Sequence, residues 1–211
     1  SNMTDRNHAP TRAAVLALKE ERTVVSEAYE FLDEKRLLLA AELLSQLQRH
    51  EQLQAELDAL AATAREQLRA AVKRHGLQGV SVYPGGRLDG FRLETQERNF
   101  MGVTLVENGP DISGSEADSM VAASNPSREA EACRQTFDRI LRHSVALAGI
   151  SGNLYRLLLE YRLTERRARA LENVILPELD QALSTMSTQL EEMDLEDVVR
   201  AHRYGTQSQA C

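Results

Sequence analysis

The most regular alternation of apolar and polar positions lies near the C-terminal end, between Tyr161 and Met193. Apolar and small residues recur there in steps of three and four: Ala168, Leu171, Ile175, Leu179, Ala182, Met186, Leu190 and Met193. Such a narrow stripe is typical of a helix that packs along a second helix. The pattern therefore predicts a coiled-coil helix, and the rest of the chain must supply its partner.

A partner helix is predicted near the N-terminus, because residues 12–74 contain no Pro or Gly and consist mainly of helix formers. A helix of that length, on the order of 95 Å, needs support along most of its side. The apolar stripe is thin in the first half of this helix, where one apolar residue recurs per heptad: Leu18, Val25, Leu32 and Leu39. The companion of each, three residues later, is of mixed character: Glu21, Ala28, Lys35 and Glu42. The stripe is stronger in the second half, where apolar residues recur in steps of four and three: Leu53, Leu57, Leu60, Ala64, Leu68 and Ala71.

We predict that this first helix covers 12–75, with Thr11 as its N-cap and Gly76 as its end. Residues 1–11 are interpreted as a tag remnant (Ser1-Asn2) and a disordered N-terminus. The glycine-rich stretch 76–125 is predicted to form a small knob, too small for a core of its own. Its predicted elements are strands at Val80–Tyr83 and Phe100–Val106, a candidate third strand at Phe91–Thr95, a turn at 84–90 and a mobile loop at 107–124.

A second long helix is predicted over 126–203, capped by Asn125, with a frayed tail at 204–211. Gly149–Gly152 is a candidate break, and Pro177 should bend the helix because it lacks an N–H. The simplest closure pairs the stripe at 53–71 with the start of the second helix, and the stripe at 168–193 with residues 15–43. The predicted fold class is all-α: a long antiparallel two-helix coiled coil with a small β-hairpin-like knob in the connecting segment.

Composition supports this interpretation, since aromatic residues make up only 4% of the chain and Trp is absent. The net charge of −7 argues against nucleic acid as the main partner. No apolar run is long enough for a membrane span, and no secretory signal is evident. Cys133 and Cys211 are too few for a disulfide framework, so we expect free thiols in a cytoplasmic protein.

No catalytic, cofactor-binding or metal-binding residue is predicted. The Gly85–Gly90 segment lacks the lysine and hydroxyl of a phosphate loop, and the five histidines have no second ligand at helical spacing. The basic cluster Arg166, Arg167 and Arg169 has two interpretations: a contact for an acidic partner, or a solvated helix face with a Glu165–Arg169 salt bridge. Considered alone, the residues favour the solvated face.

Three segments carry a resemblance to a known family. They are TERRARALENVILP at 164–177, the N-terminal Pro10-Thr11-Arg12 with LDEKR at 32–36, and RNFMGVTL at 98–105. Together they make the chain resemble the D subunit of the V-type (vacuolar or archaeal-type) rotary ATPases, over nearly its whole length. Arg169 departs from the family pattern, in which an Asn is usual.

The resemblance implies a central rotor-stalk subunit that transmits torque between a catalytic hexamer and a membrane ring that moves protons or sodium ions. The implied partners are the catalytic and non-catalytic subunits of the hexamer, the small F subunit and the connecting subunit on the membrane ring. The resemblance implies that the chain binds no nucleic acid and no cofactor, does not insert into the membrane and forms no homo-oligomer. It also implies that other subunits handle ATP and that the chain is cytoplasmic, peripheral to the membrane. The candidate partner contacts are Lys35, Arg36, Arg166, Arg167, Arg169, Glu172 and Pro177.

Other classes stay open on the residues alone. A coiled-coil scaffold or tether unrelated to ATP predicts association between chains. The gamma shaft of F-type ATPases is also a helix pair, but it carries a sizeable α/β domain for which about 50 residues are too few. An enzyme is disfavoured because no convergent polar site can be named.

Overall fold

The computed structural model describes residues 11–84, 93–106, 111–112, 123 and 125–207. Within them lie α1 (Arg12–Ser81), α2 (Arg128–Ala170) and α3 (Leu176–Gln207), with one turn of π-helix at Leu171–Ile175 between α2 and α3. The strands are β1 (Leu93–Glu94), β2 (Glu97–Phe100), β3 (Val103–Val106) and β4 (Asp111–Ile112). The predicted all-α class with a small β knob is confirmed.

Helix α1 begins as predicted, because the Ala14 N–H donates to Thr11 Oγ1 at 3.1 Å. Gly76 interrupts the helical backbone with φ 71° and ψ 167°, but helical structure resumes and continues to Ser81. The strand predicted at Val80–Tyr83 is therefore wrong. The Val82 N–H is satisfied locally by the Gln78 carbonyl at 3.2 Å, a helical bond that needs no neighbouring strand.

The chain divides into a terminal unit, residues 1–37 with 162–211, and a central unit, residues 38–161. In the terminal unit, α1 runs antiparallel to the segment from the end of α2 through α3. Arg12 pairs with Asp194 at 3.0 Å and Arg22 pairs with Asp180 at 2.5 Å, so rising numbers on one helix meet falling numbers on the other. The antiparallel pairing predicted for this part is present.

The stripe of the terminal unit differs from the prediction in two places. Leu18, Val25 and Leu32 are half-buried as expected. Of their predicted companions, Glu21 and Ala28 are exposed, whereas Lys35 is half-buried. Tyr29 and Arg36, four residues after Val25 and Leu32, are half-buried as well. On the second helix of the pair, Leu179 is buried, whereas Ile175 and Met193 are 37% and 50% exposed. Leu176 is half-buried in place of Ile175, because the π turn adds one residue to the step from Leu171.

The central unit contains a second antiparallel helix pair, in which Glu56 faces His143 at 3.4 Å and Arg74 faces Glu129 at 3.6 Å. Of the predicted stripe, Leu53, Leu57 and Leu60 are half-buried, and Ala64 and Ala71 are buried. Leu68 is 37% exposed, so its assignment to the stripe is wrong. Gln67 occupies that place, since the heptad continues from Ala64 to Ala71 through position 67.

The knob contains a β-hairpin where a single strand was predicted at Phe100–Val106. Strands β2 and β3 pair antiparallel from Glu97↔Val106 to Phe100↔Val103. Met101 and Gly102 form the two-residue turn, both with positive φ, which matches the right-handed strand twist. Separately, β1 pairs with β4, so part of the candidate strand at Phe91–Thr95 is present. Residues 85–92, 107–110, 113–122 and 124 lie outside the described residues, with most of the predicted turn and loop.

Helix α2 starts later than predicted and does not break. Its cap is Ser127 rather than Asn125, because the Ala130 N–H donates to Ser127 Oγ at 3.1 Å. The helix continues through Gly149 and Gly152, so the predicted break is wrong; packing of the buried Ile150 and Asn153 offsets the low helix propensity of glycine. Helix α3 extends to Gln207, into the predicted tail, and residues 208–211 lie outside the described residues.

Of the two cysteines, Cys133 is free and buried, and burial raises the pKa of its thiol. Cys211 lies outside the described residues. None of the helices in the described part of the chain combines the length and the apolar character that crossing a membrane requires.

Candidate partner-binding surface

All seven predicted contact residues lie in the terminal unit. Two are on α1, three are near the end of α2, one is in the π turn and one is in the first turn of α3: Lys35 and Arg36; Arg166, Arg167 and Arg169; Glu172; and Pro177. The structure does not give them one common environment. Some are engaged with other residues of the chain, and others extend from the helix surface.

The arginine cluster lies on the outward side of the helix. Thr164 and Ala168 are 2% and 1% exposed, so they define the packed face of α2, and Arg166 and Arg167 fall outside it. The predicted salt bridge is formed, with Arg169 Nη2 at 2.7 Å from Glu165 Oε1. Within the described part of the chain, Arg166 and Arg167 form no ion pair. Two guanidinium groups are therefore presented to solvent.

Arg36 and Glu172 belong instead to a small network inside the terminal unit. Arg36 Nη2 lies 2.5 Å from Asp33 Oδ1, on the same helix. The Tyr29 hydroxyl donates a hydrogen bond to the Glu172 carboxylate, which joins α1 to the π turn. Partial desolvation raises the pKa of Tyr29, and the negative charges of Glu172 and Asp33 raise it further, while Arg36 acts in the opposite direction.

The remaining two predicted residues have different environments. Lys35 is half-buried and is engaged with another residue of the chain. Pro177 is exposed and directly follows the π turn. Its effect is on the backbone, because a proline at 177 removes the N–H that would bond to the carbonyl four residues earlier. Of the seven residues, Arg166 and Arg167 are therefore the exposed basic groups that form no ion pair within the described part of the chain.

Sequence reasoning missed Asn153, which fastens the hairpin to α2 in the central unit. Its side chain is 1% exposed. Its Oδ1 accepts the Val106 N–H at 2.8 Å, and its Nδ2 donates to the Val106 carbonyl at 2.8 Å. The amide thus satisfies both backbone groups of the last residue of β3. The available signal was an Asn at helical spacing between Ile150 and Leu157, in an otherwise apolar stripe.

Apolar packing and an ion pair complete the docking of the hairpin. Leu39, Val103, Leu105 and Leu157 form a buried cluster in which the hairpin meets both helices. At the other strand, Arg98 Nη2 lies 3.2 Å from Glu42 Oε1. The Arg98 guanidinium also stacks 5.4 Å from the centroid of the Phe100 ring. The hairpin is therefore positioned by side chains from β2, β3, α1 and α2.

Among the described residues, no cluster of three or more His, Cys, Asp or Glu side chains could hold a metal ion. A shallow cleft of about 390 Å³ in the central unit is lined by Glu56, Thr63, Arg139 and His143 together with two apolar residues. It contains a carboxylate and an imidazole, whose closest atoms are 3.4 Å apart. A carboxylate and an imidazole in an open cleft do not by themselves form an acid–base site with a positioned nucleophile.

The chain was compared with known proteins. Residues 14–205 match the family model of the ATP synthase D subunit. The chain is 27% identical over 195 residues to the V-type ATP synthase D subunit of Thermotoga neapolitana, covering 92% of this chain and 95% of that protein. It is 29% identical over 217 residues to the A-type ATP synthase D subunit of Thermococcus sibiricus, covering 92% and 91%. The corresponding protein of Thermococcus kodakarensis is 28% identical over 204 residues, covering 93% and 92%.

Proposed function

Because the chain belongs to the ATP synthase D subunit family, we propose that it is the central rotor-stalk subunit of a V-type or A-type rotary ATPase. In this role it transmits torque between the catalytic hexamer and the membrane ring that moves protons or sodium ions. The observation that carries the proposal is the family match over 14–205, together with helix pairs whose packed stripes are narrow.

The packing of the helix pairs supports the role of a shaft. A subunit that turns inside a ring should be stiff, yet it should not adhere strongly at one angle. In the terminal unit, the buried side chains occupy a single stripe on each helix, and residues 191–200 of α3 are all exposed. A helix pair with such a stripe resists bending, while its charged flanks offer only shallow contacts in high dielectric.

We assign the contacts with the hexamer to the charged flanks, chiefly Arg166 and Arg167, with Arg169 beside them. Their guanidinium groups are exposed and can exchange carboxylate partners as the shaft turns. Arg36 and Glu172 stay candidate contacts, although Arg36 also bonds to Asp33 and Glu172 to Tyr29. The proposed further partners are the small F subunit and the connecting subunit on the membrane ring.

The proposal makes this chain a non-catalytic part of an enzyme complex, on the cytoplasmic side and peripheral to the membrane. ATP binding and hydrolysis belong to the other subunits. The charged-flank hypothesis makes a quantitative prediction, because exposed ion pairs contribute about 0.2–1 kcal/mol each. Loss of three such pairs should weaken binding to the hexamer by about 1–2 kcal/mol, roughly tenfold.

The experiment uses the full chain reconstituted with the catalytic, non-catalytic and small F subunits, and with the membrane sector. The test variant combines Arg166→Gln, Arg167→Gln and Arg169→Gln. Its control combines Arg49→Gln, Arg69→Gln and Arg139→Gln, three exposed arginines of the central unit that remove the same charge. Affinity for the hexamer and ions moved per ATP are measured for both.

We expect the test variant to bind the hexamer more weakly or to lower the coupling ratio, and the control to behave as the wild type. Unchanged affinity and coupling in the test variant would count against the charged-flank contacts. Failure of the wild-type chain to co-purify with the hexamer, or a stable homodimer in light scattering, would count against the rotor role itself.

A further inference from the structure

The packed stripe of the second helix contains one residue more than a regular heptad allows. Thr164 and Leu171 are seven residues apart on the stripe, and Leu179 and Met186 are again seven apart. Between Leu171 and Leu179 the distance is eight residues. In a regular coiled coil, a surplus residue would rotate every following side chain away from the partner helix by about 100°.

The surplus residue is accommodated in the π turn at Leu171–Ile175. There the Leu176 N–H donates to the Leu171 carbonyl, five residues earlier. Val174 and Ile175 turn outward, 50% and 37% exposed, and Leu176 takes the packed position. Inserted residues of this kind often appear as single π turns inside α-helices.

Pro177 explains why the surplus is held at this place. In an α-helix, its ring would clash with the carbonyl of Asn173, and no N–H would be available for that carbonyl. A π turn changes the direction of the carbonyls just before the proline. The turn is therefore anchored next to Pro177, whose missing N–H leaves this part of the helix with one backbone hydrogen bond fewer.

The helix stays packed on both sides of the surplus residue. Thr164 and Ala168 are buried before the turn, and beyond it Leu179 is buried and Asp180 pairs with Arg22. The turn therefore absorbs the surplus residue without turning the packed face of the segment that follows. All of these contacts lie within the terminal unit.

We propose that the π turn at 171–175 is a built-in point of local opening, where the helix opens and recloses while the packed segments on both sides stay in place. The inference goes beyond the rotor assignment, since its test uses the isolated full-length chain and does not depend on the other subunits.

The first test is amide hydrogen exchange on the wild-type chain, expressed as protection factors. We expect amides 173–176 to be at least tenfold less protected than those of the flanking segments 165–169 and 182–186. A turn with one backbone hydrogen bond fewer opens more often than a regular helix turn. Equal protection of the turn and its flanks would overturn the proposal.

The second test removes the surplus residue. Deletion of Asn173, which is exposed, is combined with Pro177→Ala, because a proline in a regular α turn would clash with the carbonyl four residues earlier. The combined variant restores a seven-residue step from Leu171 to the next packed leucine. The control is deletion of Ser184, also exposed, which shortens the regular step from Leu179 to Met186 to six residues.

We expect the combined variant to raise Tm by about 2–4 °C and to raise protection in the turn to that of its flanks, because a regular α turn without proline replaces the π turn. The Ser184 deletion should lower Tm, since Met186 and Leu190 lose their packed positions. If the combined variant lowers Tm as much as deletion of Ser184 does, or leaves the turn unprotected, the surplus residue is not the cause of local opening and the proposal fails.

Discussion

Replacement of Asn153 by Ala tests how the knob is held on the helix pair. In the native chain, the Asn153 amide satisfies both the N–H and the carbonyl of Val106, each at 2.8 Å. Arg156 Nη2 also donates to Asn153 Oδ1 at 2.8 Å. An alanine removes these three bonds and a longer one, from Asn153 Nδ2 to Gln46 Oε1 at 3.5 Å, and leaves the end of β3 beside an apolar methyl group. The hairpin would then be held on the helices by its apolar contacts and the Arg98–Glu42 pair.

The size of the effect follows from what is left unpaired. A typical intramolecular hydrogen bond contributes about 0.5–1.5 kcal/mol net. The Arg156 side chain is exposed and can bond to water instead, so the two Val106 bonds dominate. With a small void at a site that is 1% exposed, we expect a loss of about 2–3 kcal/mol in the free energy of unfolding. For a chain of this size, that lowers Tm by about 4–12 °C.

The assay is urea unfolding followed by circular dichroism, with amide exchange at Val106 as a local probe. Ser151→Ala is the control, because Ser151 is exposed on the same helix and its hydroxyl bonds only to the Leu147 carbonyl. We expect the control to change stability by less than about 0.5 kcal/mol. If Asn153→Ala costs no more than Ser151→Ala, or if exchange at Val106 does not accelerate, then Asn153 does not hold the hairpin.

Two further predictions concern the same unit. Leu39→Ala should lower the free energy of unfolding by about 2–5 kcal/mol, because Leu39 is fully buried against Val103, Leu105 and Leu157. The control Leu44→Ala, at a site 63% exposed, should change it by less than about 0.5 kcal/mol in the same urea assay. Hydrogen bonds from Arg134 lower the pKa of Glu131, so its stabilising contribution is present above the unfolded-state pKa and is lost as pH falls through the lower folded-state pKa. Glu131→Gln should therefore lower Tm by about 1–3 °C near pH 7, with the difference from wild type vanishing in acid; a difference independent of pH would contradict the assignment.

Helix pairing was predictable from the sequence because its signal is repeated along the chain. Leu18, Val25 and Leu32 recur every seven residues, and each repeat adds support for the same helix face. The companion of Val25 was misplaced by one position, because Ala28 matches an apolar template better than Tyr29 does. In the structure Ala28 is exposed, and the amphipathic Tyr29 packs its ring in the stripe while its hydroxyl reaches Glu172. The direction of pairing followed from the short knob, which leaves an antiparallel arrangement as the simplest closure.

The contact surface was less predictable than the fold. The sequence identified the arginine cluster, but only the structure separates Arg169, which bonds to Glu165, from the outward Arg166 and Arg167. Charge on a helix surface does not show which groups are already paired, because that depends on side-chain directions three and four residues apart. Likewise the sequence does not show that Arg36 bonds to Asp33 and that Glu172 lies at Tyr29, whereas the role of both residues in partner contacts stays a prediction.

The apolar stripe was most misleading at Ile175. A straight helix with 3.6 residues per turn carries Leu171, Ile175 and Leu179 on one face, so the apolar pattern shows no sign of a π turn. The signal for it is Pro177, interpreted as a bend. A proline in the middle of a helix must remove one hydrogen bond, but the helix can respond either by bending or by widening one turn. The eight-residue step between the packed residues Leu171 and Leu179 fits the second response, since eight residues of regular α-helix place Leu179 about 80° from Leu171 around the helix axis. Counting heptads between packed residues across a proline therefore distinguishes a bend from a π turn, but the count needs the structure to show which residues are packed.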